Sequence, residues 1–187
     1  MNDDRIHALV AANPGQGTFE EYELVWDVLR RRAPCRMLVF GVGRDSTLWR
    51  DTNVGGTTVF LESIHEWAEY AREHVPGIEL HEVRYRTLRG LWPLYRRIPA
   101  LLNMPGLPRS VTAEPWDVVL VDAPKGTRCY KPGRMKSVYM ARRLSATGAD
   151  VFVHDCDRPV EREAGDAFLG ADNLVSQVGR MRHYRVR

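Results

Sequence analysis

Cysteine is scarce in this chain of 187 residues, with only Cys35, Cys129 and Cys156. Three thiols without metal-ligand spacing exclude a disulfide framework and a zinc site, and they fit a reducing, cytoplasmic setting. Long apolar runs are missing as well. None approaches the ~20 residues that cross a bilayer. The N-terminal segment carries Asp3 and Asp4 ahead of an apolar run at 8–12, too short and wrongly flanked for a signal peptide. Internal repeats and low-complexity tracts are absent. Lysine is rare: 24 of the 27 basic residues are arginine, and Lys125, Lys131 and Lys136 fall in one short stretch. Acids are missing from 84–109, which holds six arginines, and from 125–143, which holds seven basic residues. A net charge of +3 therefore conceals two strongly cationic stretches, which favour an anionic substrate. What remains, 44% apolar and 27% charged, describes one soluble globular domain over 1–187, long enough for a three-layer core.

Hydrophobic periodicity predicts the layers. Thr18 can cap a helix over 19–32 that has acids in its first turn, arginines in its last, and a stripe of Leu24, Val25, Val28 and Leu29. Strands are expected at 36–40, 57–61, 78–85, 116–121 and 150–153, with helices at 45–50, 65–74, 134–144 and 160–168. The run W-D-V-V-L-V at 116–121 is nearly all apolar, as in a parallel strand buried on both faces. Segments 174–178 and 183–186 read as a closing antiparallel pair. This alternation predicts a Rossmann-like, doubly wound α/β sheet, mostly parallel. Segment 86–115 interrupts it. Pro93, Pro99, Pro105 and Pro108 argue against a long helix, and the segment exceeds an ordinary connection. It reads as an insert covering substrate at the C-terminal edge of the sheet.

The strand at 36–40 runs into Gly41-Val42-Gly43, and the next strand ends in Glu62. Glycines let the backbone pass close under a nucleoside, and an acid about 20 residues on accepts from both ribose hydroxyls. Ser46 stands where a dinucleotide fingerprint has its third glycine, so the turn suits S-adenosylmethionine better than a pyrophosphate. Gly41, Gly43, Asp45, Glu62 and Asp122 are the candidate cofactor residues.

Two further strand ends, V-D-A-P-K-G at 121–126 and V-H-D-C-D-R at 153–158, set Asp122, His154, Asp155 and Asp157 on the same edge. Methyl transfer from a sulfonium is an in-line displacement, for which the protein aligns the acceptor oxygen and removes its proton. Asp122 and Asp155 fit two roles. Either they hold a magnesium or manganese ion, with Asp157 as a further ligand, or one of them is the base. Lys125 is another candidate base, because lysine, unlike arginine, can lose its proton near a cation or in a dry pocket. His154 is a fourth catalytic candidate, whereas His183 reads as a structural histidine. Arg89, Trp92, Tyr95 and Arg96 in the insert, with Arg134 beyond it, are the candidate acceptor-binding residues. Guanidinium pairs with carboxylate, and the rings can stack on a sugar. Cys156, between two acids, is unsuited to thiolate chemistry.

The blocks L-V-F-G-V-G-R-D-S-T-L-W, G-G-T-T-V-F-L-E, W-D-V-V-L-V-D-A-P-K-G, P-G-R-M-K-S-V-Y-M-A and V-F-V-H-D-C-D-R occur here in that order. Together, over residues 18–187, they resemble the plant polysaccharide-biosynthesis domain of the glucuronoxylan and arabinogalactan 4-O-methyltransferases. The P-G-R-M block is specific to that family. The resemblance implies an S-adenosylmethionine-dependent O-methyltransferase fold and, in the best-known members, a glucuronic acid 4-hydroxyl as acceptor. It also implies that Gly41, Gly43 and Glu62 contact the cofactor, while Asp122 and the His154–Asp155 pair lie by the acceptor. Two departures stand out: the plant enzymes' membrane anchor is not found in this chain, and Lys125 stands where a small or hydroxyl residue is expected. D-A-P-K is also similar to the spacing in catechol O-methyltransferases, where strand-end acids bind magnesium and the lysine takes the phenol proton. There, Cys156 stands at the place of a metal-binding asparagine.

The expected function is an O-methyltransferase acting on a hydroxyl of an acidic sugar, in a glycan or small glycoside. A divalent-metal-dependent O-methyltransferase of a phenolic or other secondary metabolite is the close alternative. A nucleic-acid-binding module is the alternative from another class, but base-flipping motifs and a separate basic face are missing. Neither nucleic acid nor membrane is therefore an expected partner.

Overall fold

The computed structural model describes residues 3–187, so the first two positions of the expected 1–187 domain lie outside the described residues. Helices α1 (Asp3–Ala12) and α2 (Phe19–Arg32) precede strand β1 (Arg36–Phe40), and α3 (Ser46–Thr52) leads to β2 (Thr57–Glu62). Helix α4 (His65–His74) and β3 (Glu79–Glu82) follow. The next stretch holds two short helices, α5 (Trp92–Arg97) and α6 (Arg109–Thr112), before β4 (Trp116–Val121). Helix α7 (Met135–Leu144), β5 (Ser145–Val153), α8 (Pro159–Gly165), β6 (Leu174–Val178) and β7 (Met181–Arg185) complete the chain.

All seven strands form one sheet in the order β3-β2-β1-β4-β5-β7-β6. β1 to β5 pair in parallel, and β7 lies antiparallel between β5 and β6. The doubly wound sheet with an antiparallel C-terminal pair is thus the observed architecture. Side chains alternate between its faces. Leu38, Phe40, Val119, Val121, Val151 and Val153 meet α7 on one side, while Met37, Val39, Phe60, Val118, Leu120 and Phe152 meet α2 and α3 on the other. Helix α2 begins with a capping box in which Thr18 Oγ1 accepts from the Glu21 N–H and Glu21 accepts from the Thr18 N–H.

Three elements differ from expectation. Helix α1 packs Ile6, with Leu9 and Val10 partly buried beside it, against the core, and one such i, i+3, i+4 set is too short a pattern to predict a helix. The third strand is four residues long instead of 78–85, because its pairing with β2 stops where β2 stops, at Glu62 opposite Glu82. β5 begins at Ser145, not 150, and a register shift opposite Trp116 and Val118 accommodates the additional residues.

The 86–115 segment takes the place of a crossover helix. Its prolines break it into short helical turns, with Pro93 in the first turn of α5 and Pro99 opening a 3₁₀ turn at Pro99–Leu102. Trp92, Tyr95, Leu102, Met104 and Val111 are buried in the same core as β1, β4 and α7. The segment therefore covers one face of the sheet.

Candidate active site

The parallel register puts the strand-end residues in one row. Phe40 lies opposite Leu61 and Val121, and Val121 lies opposite Val153. One step further along, the Gly41 N–H donates to Leu61 O, the Asp122 N–H to Phe40 O and the His154 N–H to Val121 O. Glu62, Gly41, Asp122 and His154 thus stand side by side at the C-terminal edge, where open α/β sheets bind ligands.

Gly41 has φ 114°, and a Cβ there would lie 3.0 Å from the Ala123 Cβ. Only glycine fits. The Ser46 hydroxyl accepts from the Gly43 N–H at 3.1 Å, so a donor that a dinucleotide turn offers to phosphate is already engaged. Glu62 is buried and holds the turn from beneath. Its Oε2 accepts from the Val42 N–H at 3.0 Å, and its Oε1 accepts from the N–H groups of Ser63 and Ile64 at 2.5 and 2.8 Å. A carboxylate has about four acceptor positions, so one, shared with the Ser63 hydroxyl 3.4 Å from Oε1, is left for a ribose hydroxyl. Asp45 accepts from the Trp49 indole N–H at 2.9 Å. Burial, reinforced by the Asp122 charge, pushes the Asp45 carboxyl up to about 6.

Beside this turn lies a compact charged centre. His154 Nδ1 sits 2.8 Å from Asp122 Oδ1, and His154 Nε2 lies 3.4 Å from Glu21 Oε2. Burial opposes the charged imidazole, but the flanking carboxylates outweigh it and raise the His154 pKa to about 9. Asp122 and Glu21 are each held near 2 against the cost of burial. Arg134 and His154 do this for Asp122; His154 and the backbone N–H groups of Thr18 and Arg180 do it for Glu21. Asp155 has φ 62°, the only non-glycine in the left-handed region among the described residues. Three arginines surround its buried carboxylate: Arg134 at 2.5 Å, Arg158 at 2.9 Å and Arg180 at 3.4 Å. Backbone strain held in place this way is characteristic of functional sites.

The turn and the charged centre line one cleft of about 730 Å³, which also includes Tyr22, Ser63, Trp67, Lys125, Thr127 and Arg44. Its volume is in the range of small-molecule sites. The cofactor candidates Gly41, Gly43, Asp45, Glu62 and Asp122 all line it, as do Lys125, Arg134, His154 and Asp155.

This chain matches the IRX15/IRX15L/GXM family over residues 20–90 and 95–184. It is 35% identical to glucuronoxylan 4-O-methyltransferase 2 of Arabidopsis thaliana, an alignment covering all of this chain and 71% of that protein. It is 36% identical to arabinogalactan O-methyltransferase 2 of the same plant, over 97% of this chain and 70% of that one. The chain belongs to this family. In fold it is similar to an O-methyltransferase from Bacillus cereus solved in complex with S-adenosylhomocysteine, with TM-score 0.59 and 16% identity. That likeness covers 100% of this chain and 90% of the other, and it gives the family member a methyltransferase fold.

Five residues singled out in the sequence lie elsewhere. Trp92 and Tyr95 are buried in the core; the Trp92 indole N–H donates to Glu163 at 2.8 Å, and the Tyr95 hydroxyl accepts from the Leu88 N–H at 3.3 Å. Arg89 lies 3.5 Å from the buried Glu161. Arg96 and Asp157 are exposed outside the cleft. The insert's aromatic pair serves the sheet, and Asp157, near a strand end in sequence, does not face the edge. His183 is structural, 2.6 Å from the fully buried Asp150. Burial pushes the Cys156 thiol up to about 12.

Ligand atoms of Asp122, His154 and Asp155 come within 4.8 Å of one another, as a metal site requires. The donor set nevertheless does not suit a divalent cation. Arg134 Nη2 lies 2.9 Å from Asp122 Oδ1 and 2.5 Å from Asp155 Oδ2, bridging the two carboxylates. His154 faces a carboxylate with each ring nitrogen, Asp122 at 2.8 Å and Glu21 at 3.4 Å. Glu21, Arg158 and Arg180 complete this centre and were not foreseen. Glu21 carries a sequence signal as the N3 acid of a capping box, but the two arginines carry none.

Proposed function

We propose that this protein methylates a hydroxyl group of an acidic sugar, carried on a glycan or a small glycoside, using S-adenosylmethionine as methyl donor. Family membership and fold support the O-methyltransferase class. The acidic-sugar acceptor rests on one observation above all. Lys125, exposed at the cleft wall, has no side-chain partner among the described residues, whereas Arg134, Arg158 and Arg180 beside it are all engaged with carboxylates. An unpaired ammonium in a site this well matched elsewhere suits a carboxylate brought by the ligand. The relatives named for glucuronoxylan agree with that chemistry.

Gly41, Gly43 and Glu62 fit the cofactor: the turn leaves no room for a Cβ, and the acid keeps one acceptor position, beside the Ser63 hydroxyl, for a ribose hydroxyl. When bound, S-adenosylmethionine supplies an electrophilic methyl group. Asp122 is the group we assign to the acceptor proton. His154 and Arg134 hold its Oδ1, leaving Oδ2 to accept from the acceptor hydroxyl and aim the oxygen. Alkylation of a neutral hydroxyl makes its oxygen strongly acidic. Even a carboxylate held near 2 can therefore take the proton, provided transfer comes late in the displacement. In this reading Lys125 binds the substrate and no metal step is required.

The test is methylation of paired acceptors, a glucuronoside and the matching uncharged glucoside. We expect the glucuronoside to react with at least tenfold higher kcat/KM. Equal rates, or activity confined to catechols, would overturn the acidic-sugar acceptor.

A further inference from the structure

Among the described residues, five of the nine large hydrophobic side chains left exposed fall within one stretch: Leu88, Leu91, Leu94, Ile98 and Leu101, each 43–48% exposed. Leu91, Leu94, Ile98 and Leu101 recur at three- and four-residue spacing along α5 and the turns flanking it. Trp92, Tyr95 and Leu102 turn inward to the core. The exposed set is thus a second apolar stripe, beside the one that packs. A sixth exposed side chain, Tyr130, is held next to this stretch, because the Arg89 and Gly90 N–H groups donate to Lys131 O and Cys129 O, both at 2.8 Å. The stretch and the loop beside it are also cationic, with arginines flanking the leucine stripe. Arg86, Arg96, Arg97 and Arg128 are exposed and have no acidic partner among the described residues, and no acid occurs from 84 to 109.

We propose that this leucine- and arginine-bearing face of the 88–101 stretch docks on an anionic lipid bilayer. Each alternative occupant satisfies only half of the surface. A second copy of the chain would cover the leucines but set unpaired arginines against unpaired arginines. An acidic polysaccharide or a nucleic acid would neutralise the arginines but leave the aliphatic stripe in water. Such ligands are gripped by several aromatic faces, and Tyr130 is the single exposed ring here beside five aliphatic side chains. An anionic bilayer accepts the leucines at the headgroup–acyl boundary and the guanidinium groups at its phosphates. Among the described residues no helix is long and apolar enough to cross a membrane, so the contact is interfacial. The loop that carries Tyr130 also carries Lys125 and Thr127 on the cleft wall. A docked molecule would therefore hold its cleft close to the membrane surface, whatever its acceptor.

The test is co-sedimentation of the whole protein with vesicles of phosphatidylcholine alone and of phosphatidylcholine with about one-third phosphatidylglycerol. Binding is expected to the second only. Arg96→Gln/Arg97→Gln should weaken it roughly thirtyfold, from about fivefold per cationic side chain at a lipid surface. Leu94→Ser/Ile98→Ser should also release the protein. None of these four residues lines the cleft, so S-adenosylhomocysteine affinity should stay unchanged in both variants and report intact folding. Several outcomes would overturn the proposal: no binding to anionic vesicles, equal binding to neutral ones, or unchanged binding in either variant. Self-association that Leu94→Ser/Ile98→Ser abolishes would assign the face to a second copy. Tight binding to soluble acidic polysaccharide, lost only in the arginine variant, would assign it to a polyanion.

Discussion

Arg134 Nη2 lies 2.5 Å from Oδ2 of Asp155, a residue held at φ 62°. Both side chains are buried, and the same nitrogen reaches Asp122 at 2.9 Å. The guanidinium thereby occupies the space between two strand-end carboxylates that a metal ion would need.

Removing that guanidinium should leave Asp122 and Asp155 mutually repulsive, with Arg158 and Arg180 still beside Asp155 and His154 beside the partly exposed Asp122. Arg134→Met is expected to lower unfolding free energy, read by urea denaturation, by less than the about 3–5 kcal/mol of a fully uncompensated buried charge. Chelator should leave the parent enzyme's turnover unchanged. Reversible loss of activity in chelator would instead reinstate a cation as ligand of Asp122 and Asp155.

The glycine turn and Glu62 act as one unit, since Glu62 binds the Val42 N–H within the turn. Glu62→Ala should weaken S-adenosylhomocysteine binding by roughly ten- to a hundredfold in calorimetry, the loss of about 1–3 kcal/mol for hydrogen bonds to a charged group. Gly41→Ala should be as damaging, because its Cβ meets Ala123 and its φ is unfavourable for any other residue. Unchanged affinity in Glu62→Ala would remove Glu62 from the cofactor site.

His154 gives stability a specific alkaline dependence. Its pKa in the folded state is about 9, above the ordinary 6.5. A group raised in this way contributes fully below 6.5, and its contribution is lost as pH rises through 9. The stability difference between the parent and His154→Gln should therefore shrink over that window, by on the order of 3 kcal/mol. Glu21 and Asp122 have the opposite sign. Their pKa values are depressed to about 2, so their contribution is complete above the normal carboxylate range and is lost as pH falls toward 2. Parallel melting-temperature profiles for parent and variant from pH 6.5 to 9 would refute the assignment.

Lys125 distinguishes a binding lysine from a basic one. As a carboxylate ligand it should tolerate Lys125→Arg with near-parent turnover. Lys125→Gln should raise KM for a glucuronoside about tenfold while leaving kcat nearly constant, the pattern of a lost ground-state contact. A collapse of kcat in Lys125→Arg would make lysine the proton acceptor.

Continuity of apolar residues made the strands legible, and the Gly41-Val42-Gly43 turn with Glu62 gave the ligand-binding edge. These are local signals: each depends on neighbours in the chain or on a repeating period. Thr18 as a helix cap was legible for the same reason. The charged centre was only half visible. Asp122, His154 and Asp155 stand at strand ends, where parallel register aligns them. Arg158 and Arg180 reach Asp155 through contacts with no local pattern, and the position of Arg134 between two acids depends on where helix α7 packs. Trp92 and Tyr95 show the limit from the other side. A helical-period stripe next to a binding edge is compatible with facing either ligand or core, and only the third dimension decides.

The Arg180 N–H donates to Oε1 of Glu21 at 2.6 Å, joining groups 159 residues apart, and the Arg180 guanidinium also reaches Gln16 O. The wall that carries His154 is therefore completed by the last hairpin of the sheet. A growing chain emerging from the ribosome can form the glycine turn early, but it cannot assemble the charged centre until residue 180 has been added. Contacts of such long sequence separation form late because the loop-closure entropy must be overcome first. The catalytic edge is in this sense finished last: a chain truncated before the final hairpin would carry the cofactor turn, Asp122 and His154 without the Arg180 contacts to Glu21 and Asp155.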